Sequence, residues 1–398
     1  MTTPVVIFGA FDRHNLGDLL FPHIVHALLH DRPCIMTGLA ERDLSPWGGH
    51  RTLSLADVIR QTAGQRVHVI HAGGEVLTCS NWEAAVMLQN PAAAANVIDL
   101  YDSDPTQREQ WAATQTDSTR AAPYVVPQQA FSEPGRWIFN AVGGVELATQ
   151  ISADLTLQTL REANFLGVRD HVTRAALQAS GIASHLLPDP AVLLRRLFQP
   201  HIEAAAQDAA LSAIRSRWPK GYLAVQFSAD FADDATLDAL ARQLQQFAVQ
   251  EKLGIVLFRA GAAPWHDDLE PYRRLQSRLP AGMALIYEGL NIWSICALLA
   301  GSVLYCGSSL HGRIVAMAYG LPRVNLQHPS QAGKMTKQTA YAQTWEIDGM
   351  PGCVGSGEAG SALQQAMAMK NDARLAAAAQ EWENVYLQAS SRWLALLD

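Results

Sequence analysis

The sequence predicts an α/β protein with two doubly wound, Rossmann-like domains, because short apolar strands alternate with helical segments twice along the chain. The apolar runs of the first half lie at residues 5–9, 67–71, 137–142 and 165–169. The pattern restarts in the second half, with runs at residues 223–227, 254–258, 283–286 and 302–306. Strands joined through helices pair in parallel. We therefore expect two parallel sheets, in two domains that face each other across a cleft.

The length and the spacing of prolines predict the domain limits. A chain of 398 residues exceeds what one hydrophobic core usually organises. Three prolines between residues 188 and 200 mark the join, so we expect an N-terminal domain at 1–193 and a C-terminal domain at 200–371. Residues 78–134 combine an alanine run with five prolines, which favours helices and loops inserted in the first domain. Residues 372–398 have an apolar face at helical spacing and predict a terminal helix that packs back on the N-terminal domain.

Composition excludes several classes of protein. The net charge is −7, and no run of basic residues offsets it, so nucleic acid is not an expected partner. No run of about 18 apolar residues is present, so we expect no membrane span, although peripheral contact with a membrane stays compatible. The N-terminus has no basic lead with an apolar core, so no secretory signal is expected. The five cysteines form no CxxC pair, which favours free thiols, no zinc site and a cytoplasmic location.

The turn after the first strand is rich in polar residues. Ligands of open α/β sheets bind at the carboxyl ends of the strands. Asn15 and Asp18 either shape this turn and cap the next helix or line a binding cleft. Arg13 and His14 are harder to explain by packing, and we expect one of them to contact a ligand. The segment lacks GxGxxG, so it does not predict a dinucleotide site of the usual kind.

The second strand is followed by Gly73, Gly74 and Glu75. Two glycines permit close approach of a ligand, or they simply make a tight turn. Glu75 is either an acid at a helix start or a general base. All three residues are therefore candidates for the cleft.

Further candidates follow two other strands. Arg169 either clamps a carboxylate or phosphate with both arms of its guanidinium or pairs with Asp170 or Asp189. In the second half, Arg259 and His266 follow the strand at 254–258, and either could face the cleft. Adjacent His and Asp residues near 266 point in different directions, so no metal site is expected.

Residues 303–322 give the most specific pattern. They predict a buried strand, a Gly-Ser-Ser turn, and a helix that begins at His311. Small residues such as Ser308 and Ser309 leave the N–H groups of the helix start accessible, and the helix dipole attracts an anion there. His311 and Arg313 would add an acid and a cation, and Lys334 further positive charge.

Several short motifs together resemble the polysaccharide pyruvyl transferase family. They are Asn-Leu-Gly-Asp at 15–18, Gly-Gly at 73–74, Val-Arg-Asp at 168–170, Pro-Asp-Pro at 188–190, Ser-Ser-Leu-His-Gly at 308–312 and Ala-Tyr-Gly-Leu-Pro at 318–322. The resemblance implies a two-domain fold similar to GT-B glycosyltransferases. It also implies transfer of the pyruvyl group of phosphoenolpyruvate to two sugar hydroxyls, which forms a ketal and releases phosphate. Phosphoenolpyruvate is then a co-substrate, and no cofactor or metal is expected.

The resemblance also implies roles for particular residues. The family's Arg-Leu-His motif brings an arginine and a histidine to the donor site. Leu310 and His311 match it, whereas Ser309 stands where the arginine would be. We expect His311 to be the catalytic acid, and the donor to contact residues drawn from Arg13, His14, Asn15, Arg169, Ser308, Ser309, Leu310, Arg313 and Lys334.

The expected acceptor is a glycan or a lipid-linked sugar. Two alternatives stay open: a GT-B-like glycosyltransferase that uses a nucleotide sugar, and a non-catalytic subunit of glycan assembly. The second is favoured by the absence of the motif arginine at Ser309. The sequence does not predict the oligomeric state.

Overall fold

A computed structural model describes residues 3–150 and 153–398, and the chain divides into two compact units. The first unit is Met1–Pro190 with Asn384–Asp398, and the second is Ala191–Glu383. The division therefore falls a few residues before the stretch 193–200 in which the sequence places the join.

An eight-stranded sheet forms the centre of the first unit. Its strands are β1 (Val5–Phe8), β2 (Cys34–Gly38), β3 (Arg42–Asp43), β4 (Arg51–Ser54), β5 (Arg66–His71), β6 (Glu133–Val142), β7 (Phe165–Val168) and β8 (His185–Leu186). Their spatial order is β3-β4-β2-β1-β5-β6-β7-β8. All neighbours pair in parallel except β3 and β4. Consecutive strands extend first to one side of β1 and then to the other, so the direction of winding changes between β1 and β5.

Within the described residues, seven α-helices connect these strands. They are α1 (Leu16–Leu29), α2 (Leu55–Gln61), α3 (Asn81–Met87), α4 (Pro91–Tyr101), α5 (Pro105–Thr116), α6 (Ala153–Arg161) and α7 (His171–Ala179). The segment expected at 78–134 contains α3, α4 and α5. They pack around a small cluster of their own that includes Trp82 and Ala112.

A six-stranded parallel sheet forms the centre of the second unit. Its strands are β9 (Tyr222–Gln226), β10 (Gly254–Phe258), β11 (Ala284–Tyr287), β12 (Leu304–Gly307), β13 (Arg323–Leu326) and β14 (Cys353–Val354). The order β11-β10-β9-β12-β13-β14 is the 3-2-1-4-5-6 order of a Rossmann sheet, with its switch point between β9 and β12. Both sheets are wound in parallel between helices, which confirms the predicted α/β fold class.

The helices of the second unit are α8 (Leu194–Ala205), α9 (Ala209–Arg217), α10 (Asp234–Glu251), α11 (Leu269–Ser277), α12 (Ile292–Ala300), α13 (Leu310–Ala318), α14 (Lys337–Trp345) and α15 (Ala359–Ala368). Helix α10 buries Leu237, Leu240, Leu244 and Phe247, the apolar face that its spacing predicts. The final helix, α16 (Ala373–Leu394), begins in the second unit and ends in the first. None of the helices in the described parts of the chain is both long enough and apolar enough to span a bilayer.

Pro200 lies inside α8 rather than in a linker. Proline has no N–H group and its ring pushes on the preceding turn, so a helix bends around it. Phe198 absorbs this bend, with non-helical torsion angles of φ −128° and ψ 15°. The proline cluster therefore marks a kinked helix just after the division of the chain.

Within the first unit, the C-terminal segment contacts strand β6. The Tyr386 hydroxyl and the Asn140 side chain exchange buried hydrogen bonds of 2.8 and 3.0 Å. Arg136 donates from Nε to the carbonyl oxygen of Leu396 at 3.1 Å. These contacts fix the end of α16 and the last residues of the chain to the central sheet of this unit.

Candidate functional site

The switch point of the second sheet brings the Gly-Ser-Ser turn next to the end of β9. Gly307 pairs with Gln226 in the parallel register of β12 and β9, so both strands end at the same level. Ser308 and Ser309 follow directly and are half-buried. A crevice at the carboxyl ends of two such strands is where doubly wound sheets bind ligands.

Helix α13 begins at Leu310, one residue before the start that the sequence predicts. Ser309 is its N-cap, with φ −76° and ψ 127°, and Ser309 Oγ accepts a hydrogen bond from the Gly312 N–H at 3.2 Å. Ser308 Oγ accepts one from the Ser228 N–H at 3.0 Å. The Ser308 hydroxyl proton is not used in that bond and can be donated to a ligand.

The side chains of Tyr305 and Gln226 hold the Gly-Ser-Ser turn in place through hydrogen bonds to the backbone of Ser309. The Tyr305 hydroxyl donates to the Ser309 carbonyl oxygen at 3.0 Å, and Gln226 Oε1 accepts from the Ser309 N–H at 2.7 Å. A side chain at Gly312 would place its Cβ 2.5 Å from Tyr305 Cζ. Glycine is therefore needed in the first turn of α13 for this close packing.

Gln226 also connects the turn to Asp267. Gln226 Nε2 donates to Asp267 Oδ1 at 2.8 Å, and Asp267 Oδ2 accepts from the N–H groups of Ala260 at 2.6 Å and Gly261 at 3.3 Å. Burial raises the pKa of Asp267 to about 7, although these donors and Arg259 act in the opposite direction. Gln226 is not among the site residues predicted from the sequence, although it lies near the end of a predicted strand, where ligands bind. For Asp267 the sequence predicts only the start of a helix, and a role as a metal ligand is rejected.

His311 is the second residue of α13 and is 9% exposed, and Leu310 beside it is buried. The role of His311 as an acid beside an anion stays a prediction. Lys334 is exposed in a loop after β13.

Arg313 does not lie where the sequence places it. Its guanidinium is fully buried and donates to Asn325 Oδ1 at 2.9 Å and to the Pro351 carbonyl oxygen at 2.8 Å. It also forms an ion pair with Glu346, which Arg323 shares. The prediction that Arg313 contacts the donor is therefore wrong, because these partners hold its guanidinium in the interior of the second unit.

The loop after β10 presents Arg259. Its Nε is buried and makes no hydrogen bond to any residue in the described ranges, and its charge helps to lower the pKa of Asp267. In the same loop, His266 Nδ1 lies 3.0 Å from the Pro264 carbonyl oxygen. Trp265 is 47% exposed and has φ +62°, a strained backbone conformation for a bulky residue.

In the first unit, Asn15 caps α1, and its Oδ1 accepts from the N–H groups of Gly17 at 3.1 Å and Asp18 at 3.4 Å. Arg13 Nη1 donates to the Tyr124 hydroxyl at 3.2 Å, and Arg13 Nε lies 3.7 Å from Asp18 Oδ2. The Asn15 side chain therefore has the structural role that the sequence offered as one alternative, and the Arg13 guanidinium already has a carboxylate beside it.

His14 is buried, 8% exposed, and meets Trp47 edge to face at 6.3 Å between ring centres. Gly73 and Gly74 have φ values of +134° and +95°, so their backbone alone requires glycine. The turn explanation of the two glycines therefore holds without any ligand.

Arg169 is enclosed by carboxylates. Its Nη2 donates to Glu75 Oε2 at 2.8 Å and its Nη1 to Asp189 Oδ2 at 3.0 Å. Glu75 Oε1 also accepts from the Val145 N–H at 2.7 Å, and Asp170 Oδ1 caps α7 by accepting from the Thr173 N–H at 2.7 Å. The carboxyl edge of the first sheet thus holds two arginines, each balanced by acids. Such an edge attracts an anion less strongly than a free guanidinium does.

No group of three or more His, Cys, Asp or Glu side chains with the spacing of a metal site occurs in residues 3–150 and 153–398.

Comparison with known proteins confirms the family resemblance. A family model described as polysaccharide pyruvyl transferase matches residues 136–329. This range includes Arg169, Arg259 and His311, whereas Arg13, Glu75 and Lys334 lie outside it. No curated protein matches the chain.

Solved structures show the fold. The chain is similar to the UDP-GlcNAc 2-epimerase from Neisseria meningitidis bound to UDP-GlcNAc, with a TM-score of 0.55, 12% identity and 99% of each chain covered. It is also similar to the UDP-N-acetylglucosamine 2-epimerase from Rickettsia bellii, with a TM-score of 0.55, 10% identity, and 99% of this chain and 98% of that chain covered. The chain is similar as well to the UDP-GlcNAc 2-epimerase from Methanocaldococcus jannaschii, with a TM-score of 0.54, 11% identity and 94% of each chain covered. At these identities the likeness establishes a GT-B-like fold of two Rossmann-like domains.

Proposed function

We propose that this protein transfers the pyruvyl group of phosphoenolpyruvate to two hydroxyls of a glycan or lipid-linked sugar, forming a ketal and releasing phosphate. The observation that carries the proposal is the match of the pyruvyl transferase model to residues 136–329, which contain the turn at the β9–β12 switch point. The five cysteines are free thiols, which is compatible with a reducing cytoplasm as the place of reaction.

The start of α13 suits an anionic donor. Phosphoenolpyruvate carries a phosphate and a carboxylate, and helix N-termini favour such groups through their N–H groups and the helix dipole. The Ser308 hydroxyl adds a donor at the same edge. Ser309 contributes by capping the helix, and thereby fixes the direction of its first turn.

We assign the missing positive charge to Arg259. Ser309 replaces the arginine of the family motif, and Arg313 is already paired with Glu346. Arg259 follows β10, the strand that pairs with β9, and it forms no ion pair with any described residue. A guanidinium at this edge can form a bidentate contact with a phosphate or a carboxylate.

His311 is the proposed general acid. It gives a proton to the methylene carbon of phosphoenolpyruvate, which becomes a methyl group and leaves a cation at C2. One sugar hydroxyl attacks C2 and loses its proton. The C2–O bond to phosphate then breaks, the phosphate departs with the bonding electrons, and the second hydroxyl closes the ketal with loss of its own proton. Each step is acid–base chemistry that histidine can support near neutral pH.

The carboxyl edge of the first sheet, taken by itself, suits a sugar better than an anion. Glu75 and Asp18 present oxygen atoms that accept hydrogen bonds from sugar hydroxyls. Arg169 and Arg13 are already neutralised there, so an additional anion gains less at this edge than beside Arg259.

The decisive experiment incubates the purified protein with phosphoenolpyruvate and a panel of glycans. Phosphate release and the new methyl signal of the ketal, followed by NMR, report turnover. His311→Gln should lower the rate by about 10²- to 10⁴-fold, the usual loss when a general acid is removed. His201→Gln, which changes an exposed histidine of α8, is the matched control and should keep the wild-type rate.

Three outcomes would overturn the proposal or its assignment of the general acid. If His311→Gln kept most of the activity, histidine would not be the acid. If wild-type protein released no phosphate with any glycan but bound a nucleotide sugar, the glycosyltransferase alternative would replace it. The similar epimerase fold gives UDP-GlcNAc as the first nucleotide sugar to test. Binding of neither compound would favour the non-catalytic subunit.

A further inference from the structure

The first unit contains a cavity of about 250 Å³ that the proposed reaction does not use. It lies between the loop that leads into β6 and helix α6. Arg120, Val125 and Pro127 line it from the loop, and Leu155 and Glu162 line it from the helix.

Arg120 is half-buried and forms no ion pair with any residue that the structure describes. Its Nε is enclosed and makes no hydrogen bond to the residues that the structure describes. Burial alone lowers the pKa of Arg120, and no carboxylate acts to raise it. By contrast, the fully buried Arg169 and Arg313 have acidic partners. A half-buried charge without a partner has lost part of its hydration, so the Arg120 guanidinium attracts an anion that enters the cavity.

The walls limit what that anion can be. Ala122, Val125, Pro127 and Leu155 supply apolar surface. The Glu162 carboxylate also lines the cavity, where Gln129 Nε2 donates to its Oε2 at 2.9 Å. Its negative charge disfavours a dianion such as phosphate more than it disfavours a monoanion.

We propose that this cavity, which we name the Arg120 pocket, is a second ligand site that binds a small monocarboxylate with a compact apolar body. The carboxylate pairs with the guanidinium of Arg120, and the apolar body lies against Val125, Pro127 and Leu155. This pairing gives the half-buried guanidinium a charged hydrogen-bond partner, and contact with the apolar walls adds hydrophobic stabilisation. The site lies entirely within the first unit and is independent of the proposed transfer reaction.

The test uses titration calorimetry of the full chain with benzoate, hexanoate and inorganic phosphate. At least one of the two carboxylates should bind, and Arg120→Gln should weaken that binding by about tenfold or more. Arg174→Gln, at an exposed arginine of α7, is the matched control and should leave binding unchanged. Arg259→Gln should also leave it unchanged, which separates this pocket from the proposed donor site.

A second variant tests the pocket independently, in case Arg120→Gln destabilises the fold. Leu155 is 69% exposed, so Leu155→Trp should fold and should obstruct the mouth of the pocket, again weakening binding. The proposal is overturned if neither carboxylate binds, or if binding survives both Arg120→Gln and Leu155→Trp. It is also overturned if Arg259→Gln abolishes binding, or if phosphate binds through Arg120 as tightly as the carboxylates.

Discussion

Replacing Asp267 with asparagine should remove a dependence of stability on pH that the wild-type protein shows. Burial raises the pKa of Asp267 from its ordinary value of 3.8 to about 7. Between these two values the folded protein keeps a proton that the unfolded chain has lost. The stability from Asp267 is therefore fully present below about pH 4 and is lost as the pH rises through about 7.

The size of this effect follows from the two pKa values. From pH 5 to pH 8, linkage gives a loss of about 2–3 kcal/mol in the free energy of unfolding. Because the residue as a whole is only half-buried, we expect the lower end of that range. Asparagine has the shape of the protonated carboxyl and does not titrate, so the variant should lack this slope.

Urea denaturation of the two proteins at pH 5, 6, 7 and 8 measures the difference directly. The free energy of unfolding of wild type minus that of Asp267→Asn should fall from pH 5 to pH 7 and level off toward pH 8. A difference that stays constant, or that grows as the pH rises, would show that the hydrogen bonds from Ala260, Gly261 and Gln226 outweigh burial. The carboxylate would then be ionised at neutral pH, and the reasoning would be refuted.

Two further substitutions test the architecture around α13. Gly312→Ala should cost about 1–3 kcal/mol through overpacking against Tyr305, measured by urea denaturation, whereas Gly357→Ala should be neutral because nothing lies within 4 Å of its added carbon. Glu346→Gln should cost about 3–5 kcal/mol because it leaves buried guanidinium groups without a counterion. Glu381→Gln, at an exposed position of α16, is the control, and equal melting temperatures for these two glutamine variants would contradict the buried ion pair.

Burial on both faces made most strands predictable from the sequence. Continuous apolar runs mark the central strands of both sheets, and each predicted strand is present with small shifts of its ends. The missed strands lack that signal. Strand β14 has two residues, β4 has one buried residue among four, and β2 is half-buried along three of its five positions. Their places in the sheets depend on long-range pairing, which a local pattern does not contain.

The error at Arg313 was avoidable from helix geometry. His311 and Arg313 are two residues apart in one helix, which separates their directions by about 200°. A histidine directed toward the turn therefore places the arginine on the opposite side, where it meets Asn325 and Glu346. In contrast, the bond between Gln226 and Ser309 joins residues 83 positions apart, and nothing in the local sequence predicts that pair.

Ser309 stands where the family motif has an arginine, and this difference changes two properties of the turn. Arginine has no hydrogen-bond acceptor, so it could not accept the Gly312 N–H as Ser309 Oγ does at 3.2 Å. A serine N-cap stabilises a helix by about 0.5–2 kcal/mol. Ser309 therefore stabilises the start of α13, but position 309 lacks the positive charge of the arginine in the family motif. In the proposed reaction, the positive charge would then have to come from outside the motif. We propose Arg259 of the same unit for this role, because it follows a strand two places from β12 and forms no ion pair with any residue that the structure describes.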